Sequence, residues 1–496
     1  MTSDTSSWSR ETPATVFGPA PLARSVTPVL ARRDLDNERY KTAMIVVFVL
    51  TLFVQILDGT IVNVAIPTLA DAFGVTDAEI DRAIIGYLVG LAVFIPTSGW
   101  AAGRFGARKV FLVSLTVFTV ASALCGLAQT LPQLVVFRIA QGIGAGVMGP
   151  LGAAMLYRAF PQNERAKAAT AVITVAVIAP AIGPVLGGAI VEFLNWRWIF
   201  YVNVPLGVLA FVVGLLVIRD FRAEERERFD GLGFLLAGIG LGATLYGITV
   251  ARDLGWTSPV VVTCLLAGGA SLVALPIVER RQAQPLLRFE LLRAPIYRSI
   301  QILAFPTYAA FVGLIFLLPV YLQSLRGFSA FETGLATFPQ AVGVWLSSQL
   351  VGRVLYQRVG PRRLLFVGLT AALLVGIVIA QFDLDTGLWT VRGLMFARGF
   401  GLGFAFIAIQ TAIYAQTSVG DTAQATAMFS ANRQAAPAFG VALTAAVLAG
   451  VAVDAADPGL DAYRAAFWVS ALLFVPALIA AWWVRDEDAA ATMQRS

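Results

Sequence analysis

Apolar runs of about 20 residues recur along the chain, separated by short stretches that hold most of its charge. About 20 mostly apolar residues are what a helix needs to cross a bilayer. Fourteen runs qualify, at roughly 43–66, 82–102, 110–129, 133–157, 168–191, 198–218, 231–251, 258–278, 299–323, 333–356, 363–381, 390–415, 424–451 and 465–484. Gly and Pro inside them do not veto helices, because neighbouring helices satisfy the freed backbone groups. The pattern predicts an all-α membrane protein.

The charges between the runs give orientation. With the N-terminus inside and the runs alternating, inside segments together with the run ends that adjoin them hold 27 of the 36 Lys and Arg. Outside loops hold Arg82, Arg197, Arg252, Arg326, Arg392 and Arg464. This asymmetry predicts that both termini are cytoplasmic and hence that the number of spans is even. The expected location is the cytoplasmic (inner) membrane. Residues 1–41 are rich in Ser, Thr, Pro and Arg and lack a long apolar core. They read as a disordered cytoplasmic tail, not as a signal peptide. A second short tail follows at 486–496.

The pattern also repeats. "RFGARK" at 104–109 and "RVGPRR" at 358–363 follow spans 2 and 10. "RIAQGIG" from Arg138 in span 4 is matched more loosely by "RGFGLG" from Arg398 in span 12. Two six-helix halves, 42–220 and 286–485, explain these offsets, with 221–285 as an inserted helix pair. Internal duplication of this kind builds many secondary transporters, with the substrate site between the halves.

Composition narrows the chemistry. The chain is 58% hydrophobic and 13% charged, far too apolar for a soluble protein of 496 residues. Cys125 and Cys264, both in apolar runs, read as small buried hydrophobes. Histidine is absent, so a metal, haem or iron–sulfur site is not expected, and no cofactor is assigned. None of the three lysines follows a glycine, so there is no phosphate loop to power an ATP-driven pump. "GIGAG" at 142–146 lies in an apolar helix and reads as a close-packing surface, not a dinucleotide site. No nucleic-acid partner is expected.

Asp58 is the one acid well inside a span, where a charge costs a few kcal/mol and usually faces a bundle interior. Thr51, Gln55 and Asp58 share a helix face, as do Arg138 and Gln141 in span 4. Asp58 lies about 12 Å and Arg138 about 8 Å from the outer ends of their spans, at 1.5 Å per residue. A direct or water-bridged pairing is therefore feasible. It reads either as a static ion pair joining spans 1 and 4 or as a titrating site. In span 5, Gly183 and Gly187 have G-x-x-x-G spacing around Pro184, with Gly188 adjacent, which permits close packing or a hinge. In the loop after span 2, Arg104, Arg108 and Lys109 set topology and are candidates for a latch between the halves. Polar residues also fall inside spans of the second half: Gln340, Gln410, Asn432, Arg433 and Gln434.

Five stretches in order resemble the major facilitator superfamily, and within it the fourteen-span drug:proton antiporter branch (EmrB/QacA-type). They are "LDGTIVNVAIP" at 57–67, "GWAAGRFGARK" at 99–109, "RIAQGIGAG" at 138–146, "APAIGPVLGG" at 179–188 and "WRWIFYVNVPLG" at 196–207. The resemblance implies a major-facilitator-type fold of two six-helix bundles plus two inserted helices, fourteen spans in all. It implies a proton-coupled exporter of lipophilic, often cationic, drugs by alternating access, and not an enzyme. Asp58 would then be the proton-linked acid and Arg138 the basic residue tied to coupling. Gly99, Arg104, Gly106 and Arg108 would form the gating loop, and Gly183, Pro184, Gly187 and Gly188 the antiporter motif. Gly103 stands where the loop motif usually has an Asp, so no charge relay is carried over there. The alternative cargo is an endogenous lipid, metabolite or self-made antibiotic. Expected partners are lipophilic substrates, protons, membrane lipids and, in a host with an outer membrane, a periplasmic adaptor.

Overall fold

The computed structural model describes residues 38–75, 77–219, 229–282, 284–418, 420–451 and 459–493. Most of the N-terminal tail, the segment 220–228 and the last three residues lie outside that range, so the expected disorder of residues 1–37 falls there too. The described residues are helical, with no strand among them. The long helices of the first part are α1 (Glu38–Val64), α2 (Asp77–Phe94), α3 (Thr97–Phe105), α4 (Ala107–Leu127), α5 (Leu131–Ala159), α6 (Arg165–Phe193) and α7 (Asn203–Val217). Then come α8 (Gly231–Leu254) and α9 (Pro259–Glu279). The last part has α10 (Pro295–Val320), α11 (Pro339–Leu350), α12 (Pro361–Ile379), α13 (Leu388–Ala412), α14 (Thr422–Val451), α15 (Gly459–Leu472) and α16 (Phe474–Ala481).

Among the described residues, eleven helical stretches are long and apolar enough to cross a membrane. A twelfth crossing is made if α2 and α3, bent by 57° where Ile95 and Pro96 interrupt them, count as one span. The bend has a plain cause, since Pro96 donates no backbone hydrogen bond. The two remaining predicted runs correspond to α6 and to the interrupted stretch 330–355 before α12.

Helices α1, α2 and α4 to α7 pack on one another, and α10 to α16 form a second group. α8 and α9 pack as a pair, with α8 lying against α2 and also against α14. Both described chain ends lie at one face. Lys41 Nζ stands 2.7 Å from Glu164 Oε2 there, and Tyr356 hydrogen-bonds Thr492 at 2.9 Å. At this termini face the two groups of helices meet. Gln162 Nε2 donates to the Ala415 carbonyl at 3.3 Å, and Gln357 Nε2 to the Asn163 carbonyl at 2.8 Å. Arg165 donates to the Tyr414 carbonyl, and the rings of Tyr157 and Tyr414 lie 4.4 Å apart. Further in, Gln349 Nε2 donates to Thr174 Oγ1 at 3.1 Å. These bonds close a seam between the groups at that end.

The sequence repeat has a matching backbone. Gly106 (φ 94, ψ 133) joins α3 to α4, and Gly360 (φ 84, ψ 158) opens α12 in the same way. Residues with side chains rarely reach that region, and holding one there costs of order 1–3 kcal/mol. Gly106→Ala is therefore expected to lower the thermal unfolding midpoint of the purified protein. Gly360→Ala should do so by more, because its added Cβ also meets the Asp486 carboxylate at 2.6 Å. Equal midpoints for the native protein and both variants would show that neither turn is strained.

Candidate functional site

The polar residues that the sequence placed at similar depth form one buried cluster. Arg138 and Gln141, three residues apart, point from one face of α5. Asp58 meets them from α1. Arg138 Nη1 donates to Asp58 Oδ2 at 2.6 Å and to Gln141 Oε1 at 2.7 Å. Gln141 Nε2 donates to Asp58 Oδ1 at 2.7 Å. The pairing is thus direct, with no need of a bridging water. Asp58, Arg138 and Gln141 are all at most 1% exposed.

Three further helices complete the cluster. Asn203, on the first turn of α7, donates from Nδ2 to Asp58 Oδ1 at 2.8 Å and to Ser122 Oγ of α4 at 3.1 Å. Ser122 Oγ donates to the Phe200 carbonyl at 2.9 Å. The guanidinium of Arg138 stacks 4.3 Å from the Tyr87 ring of α2. The Asp58 carboxylate therefore accepts three charge-assisted hydrogen bonds, one of them an ion pair, in a site without exposed surface. These bonds offset much of the cost of burying the pair. Some bonding capacity is left over. Arg138 Nε, Asn203 Oδ1 and the Tyr87 hydroxyl are buried without a partner among the described residues. They are what a rearranged network would use.

Glycine sets the distance between the helices that carry this cluster. A Cβ on Gly142 would collide with the Tyr87 carbonyl, so α5 lies directly on α2 next to Gln141. The expected packing role of "GIGAG" is what the structure uses. On α6, Gly183 and Gly187 lie against Thr60 and Ile61, the residues that follow Asp58 by two and three positions. Gly188 faces open space, with nothing within 4 Å of an added Cβ. The G-x-x-x-G seam therefore involves two of the three glycines. Pro184 lies within α6, and its side chain is outside the described range.

Other candidates sit apart from the cluster. Gln55 is half-buried, with its side chain against Gly149 of α5, and joins none of the Asp58 bonds given above. Gly99 of α3 lies against Gln424 of α14, where an added Cβ would stand 2.9 Å from the Gln424 amide. This is the loop region's contact with the second group of helices. Arg108 donates from Nη2 to the Leu215 carbonyl of α7, at 2.6 Å, within its own group. Arg104 is half-buried on the last turn of α3, and Lys109 is exposed.

The repeat has a second buried arginine. Arg398 of α13 donates to Gln340 Oε1 at 2.7 Å and to the Ala310 carbonyl at 2.9 Å. Its pairing with Gln340 parallels Arg138 with Gln141, but carbonyls stand where Asp58 stands. The carboxylate is confined to the first group.

Sequence reasoning missed Asn203, Ser122 and Tyr87 as members of the site. A signal existed for Asn203, an amide in the otherwise apolar "YVNVPLG", but it could not reveal that α7 delivers it to Asp58. Asn203→Ala should leave the fold intact and weaken transport roughly 10- to 100-fold, since Asp58 keeps its other two donors and one hydrogen bond to a charged group is worth about 1.5–3 kcal/mol. Transport rates at matched protein amounts check this. A total loss would mean that Asn203 acts directly on substrate or proton.

A family model described as Major Facilitator Superfamily matches residues 48–441. The chain belongs to that superfamily. It is 31% identical over 408 residues to "Uncharacterized MFS-type transporter YhcA" of Bacillus subtilis, covering 82% of this chain and 76% of that one. It is 33% identical over 353 residues to "Putative multidrug resistance protein MdtD" of Salmonella typhi, covering 70% and 73%. Among solved structures, the human organic anion transporter MFSD10 (TETRAN) superposes with a TM-score of 0.65 at 15% identity, over 89% of this chain and 99% of that one. The proton:xylose symporter XylE gives 0.63 at 14% identity, over 90% and 96%. These structural likenesses establish the fold alone. As a superfamily member, this multi-pass helical protein is a membrane transporter.

Proposed function

We propose that this transporter is a proton-driven antiporter that exports lipophilic, often cationic, compounds from the cytoplasm. The observation that carries the reading is Asp58, a fully buried carboxylate bound to Arg138, Gln141 and Asn203 at 2.6–2.8 Å. A carboxylate with three donors loses much of that bonding when protonated, so proton arrival and rearrangement of Arg138 are coupled. Thr60 and Ile61, just beyond Asp58, press on the Gly183–Gly187 seam, and a shift of α1 is transmitted there to α6. The relative named for multidrug resistance supports the cargo class.

With α6 and the interrupted stretch 330–355 counted as spans, the chain crosses the membrane fourteen times, as two six-helix halves with α8 and α9 inserted. The positive charges put the termini face in the cytoplasm, and the seam closed at that face then corresponds to an outward-facing state. In the cycle, a proton enters from outside and neutralises Asp58, substrate leaves outward, and the proton is released inside.

The test uses purified protein in proteoliposomes with a panel of fluorescent dyes and drugs. A pH gradient should drive dye movement, and adding substrate should release protons. If a protonophore leaves dye movement unchanged, the protein is not proton-driven.

A further inference from the structure

A second pair of carboxylates lies far from Asp58, at the termini face, where the inserted helices meet the rest of the protein. Asp230 caps α8, its Oδ1 accepting from the Gly233 backbone at 2.8 Å. Glu279 is the last residue of α9, and its Oε1 accepts from the Leu287 backbone at a long 3.4 Å. The two are 7% and 2% exposed. Both carboxyl groups crowd the same point, since a Cβ on Gly233 would collide with Asp230 Oδ2 and Glu279 Oε1 alike. Asp230 Oδ2 and Glu279 Oε2 are buried with no hydrogen-bond partner among the described residues.

Among the described residues, the charged groups on the elements around the pair form no ion pair with it. Arg280 and Arg281, next on the chain, are exposed. Arg288 pairs with Asp421 at 3.1 Å. Arg104 sits on the last turn of α3. None of these forms a described ion pair with either carboxyl. The side chains packed close by are apolar: Trp100 lies 4.6 Å from Phe229, Phe94 lies 5.6 Å from Phe234, and Met428 of α14 packs with Leu275 and Leu287.

Two ionised carboxylates are acceptors only, and side by side in a dry site they repel. One proton converts one of them into a donor and removes that conflict. The helix ends decide which one takes it. Asp230 is at a helix N-terminus, which favours an anion, and Glu279 is at a C-terminus, which opposes one. We propose that Asp230 and Glu279 form a second proton-binding site, with one proton held on Glu279 and shared with Asp230, that braces the closed termini face.

The bracing follows from the neighbours. Protonated, the pair ties the start of α8 to the end of α9. That holds Trp100's neighbourhood on one side and Met428 on the other, flanking the contact between Gly99 of α3 and Gln424 of α14. Without the proton, two buried anions push those helix ends apart and loosen the seam. Acid at this face therefore favours the closed seam. The inference is independent of Asp58's role in transport.

Infrared difference spectra of the full chain in lipid nanodiscs test it. A protonated-carboxyl C=O band should be present at about pH 6, where an isolated glutamate is ionised, and should vanish on alkaline titration. Glu279→Gln should remove the band. Asp230→Asn should shift its titration to more acid pH by about one unit or more, because the neighbouring anion is gone. Asp58→Asn should leave the band in place. Spin labels at Lys167→Cys and Gln416→Cys, with Cys264→Ser, report the seam. Their separation should lengthen with rising pH in the native background and not in Glu279→Gln. The proposal is overturned if the band is absent or survives Glu279→Gln, or if the label distance responds to pH equally in both backgrounds. It is also overturned if NaCl or MgCl2 abolishes the band at fixed pH, since the pair is then a metal-cation site.

Discussion

Asp58→Asn is expected to reduce pH-driven export and substrate-induced proton release to the level of empty liposomes while the protein still folds. The substitution keeps the size of the side chain and an oxygen that can accept from Gln141 or Asn203, so the packing of α1 against α5 and α7 survives. It removes the only carboxylate among the described residues that pairs with Arg138, at 2.6 Å. Breaking a buried ion pair by removing one partner costs about 3–5 kcal/mol. The lower end applies here, because Arg138 keeps the Gln141 carbonyl at 2.7 Å and its stacking on Tyr87. Purification with a single symmetric elution peak, together with a lowered unfolding midpoint, checks the folding half of the prediction. Dye flux at matched protein density checks the other half. If the pair were only structural, export would fall in proportion to the folded protein and keep its dependence on the pH gradient. Export at native rates would place the proton carrier elsewhere.

Gly142→Ala should be the most damaging single methyl group in the first group of helices. Its Cβ would run into the Tyr87 carbonyl and stand 3.0 Å from the Leu91 backbone nitrogen. Backbone cannot turn aside as a side chain can, so α2 and α5 must separate, and overpacking of this kind costs about 1–3 kcal/mol or more. The separation also moves Gln141, and with it a donor of Asp58. Low yield, a lowered unfolding midpoint and loss of export in the surviving protein are all expected. Gly188→Ala is the control. It adds the same methyl group where nothing lies within 4 Å, and its unfolding midpoint should match the native protein. Gly183→Ala falls between them, since the atom it meets is the Thr60 side chain. Equal midpoints for all three variants would show that helix spacing is not set by these glycines.

The helical membrane fold was legible because it depends on a property each residue carries alone. Runs of apolar residues long enough to cross a bilayer must become helices to satisfy their own backbones. The repeated glycine in "RFGARK" and "RVGPRR" was readable for a similar reason, since a positive φ is a local demand that glycine meets. Asp58, Arg138 and Gln141 stood out because charge and amide groups in such runs are expensive. The contacts of the basic loop were less legible. Arg108 turned to the Leu215 carbonyl of its own helix group, and Gly99 made the contact with the second group. Gln55 shares a helix face with Asp58 and still lies against Gly149, because helix periodicity gives a direction and not a neighbour.

The sequence by itself determined that this chain is helical, that it repeats, and that one acid and one arginine lie at similar depth in its first part. Those follow from hydrophobicity, backbone stereochemistry and counting residues along a helix. The tertiary structure decided which polar groups share a site. Asn203 reaches Asp58 across 145 positions of sequence. Asp230 meets Glu279 from the opposite end of the inserted pair. Arg398 finds carbonyls where Arg138 finds a carboxylate. Each outcome depends on how closely two helices approach and how each is turned about its axis. Both are fixed by packing between distant segments, glycine against backbone above all, and no local pattern records them.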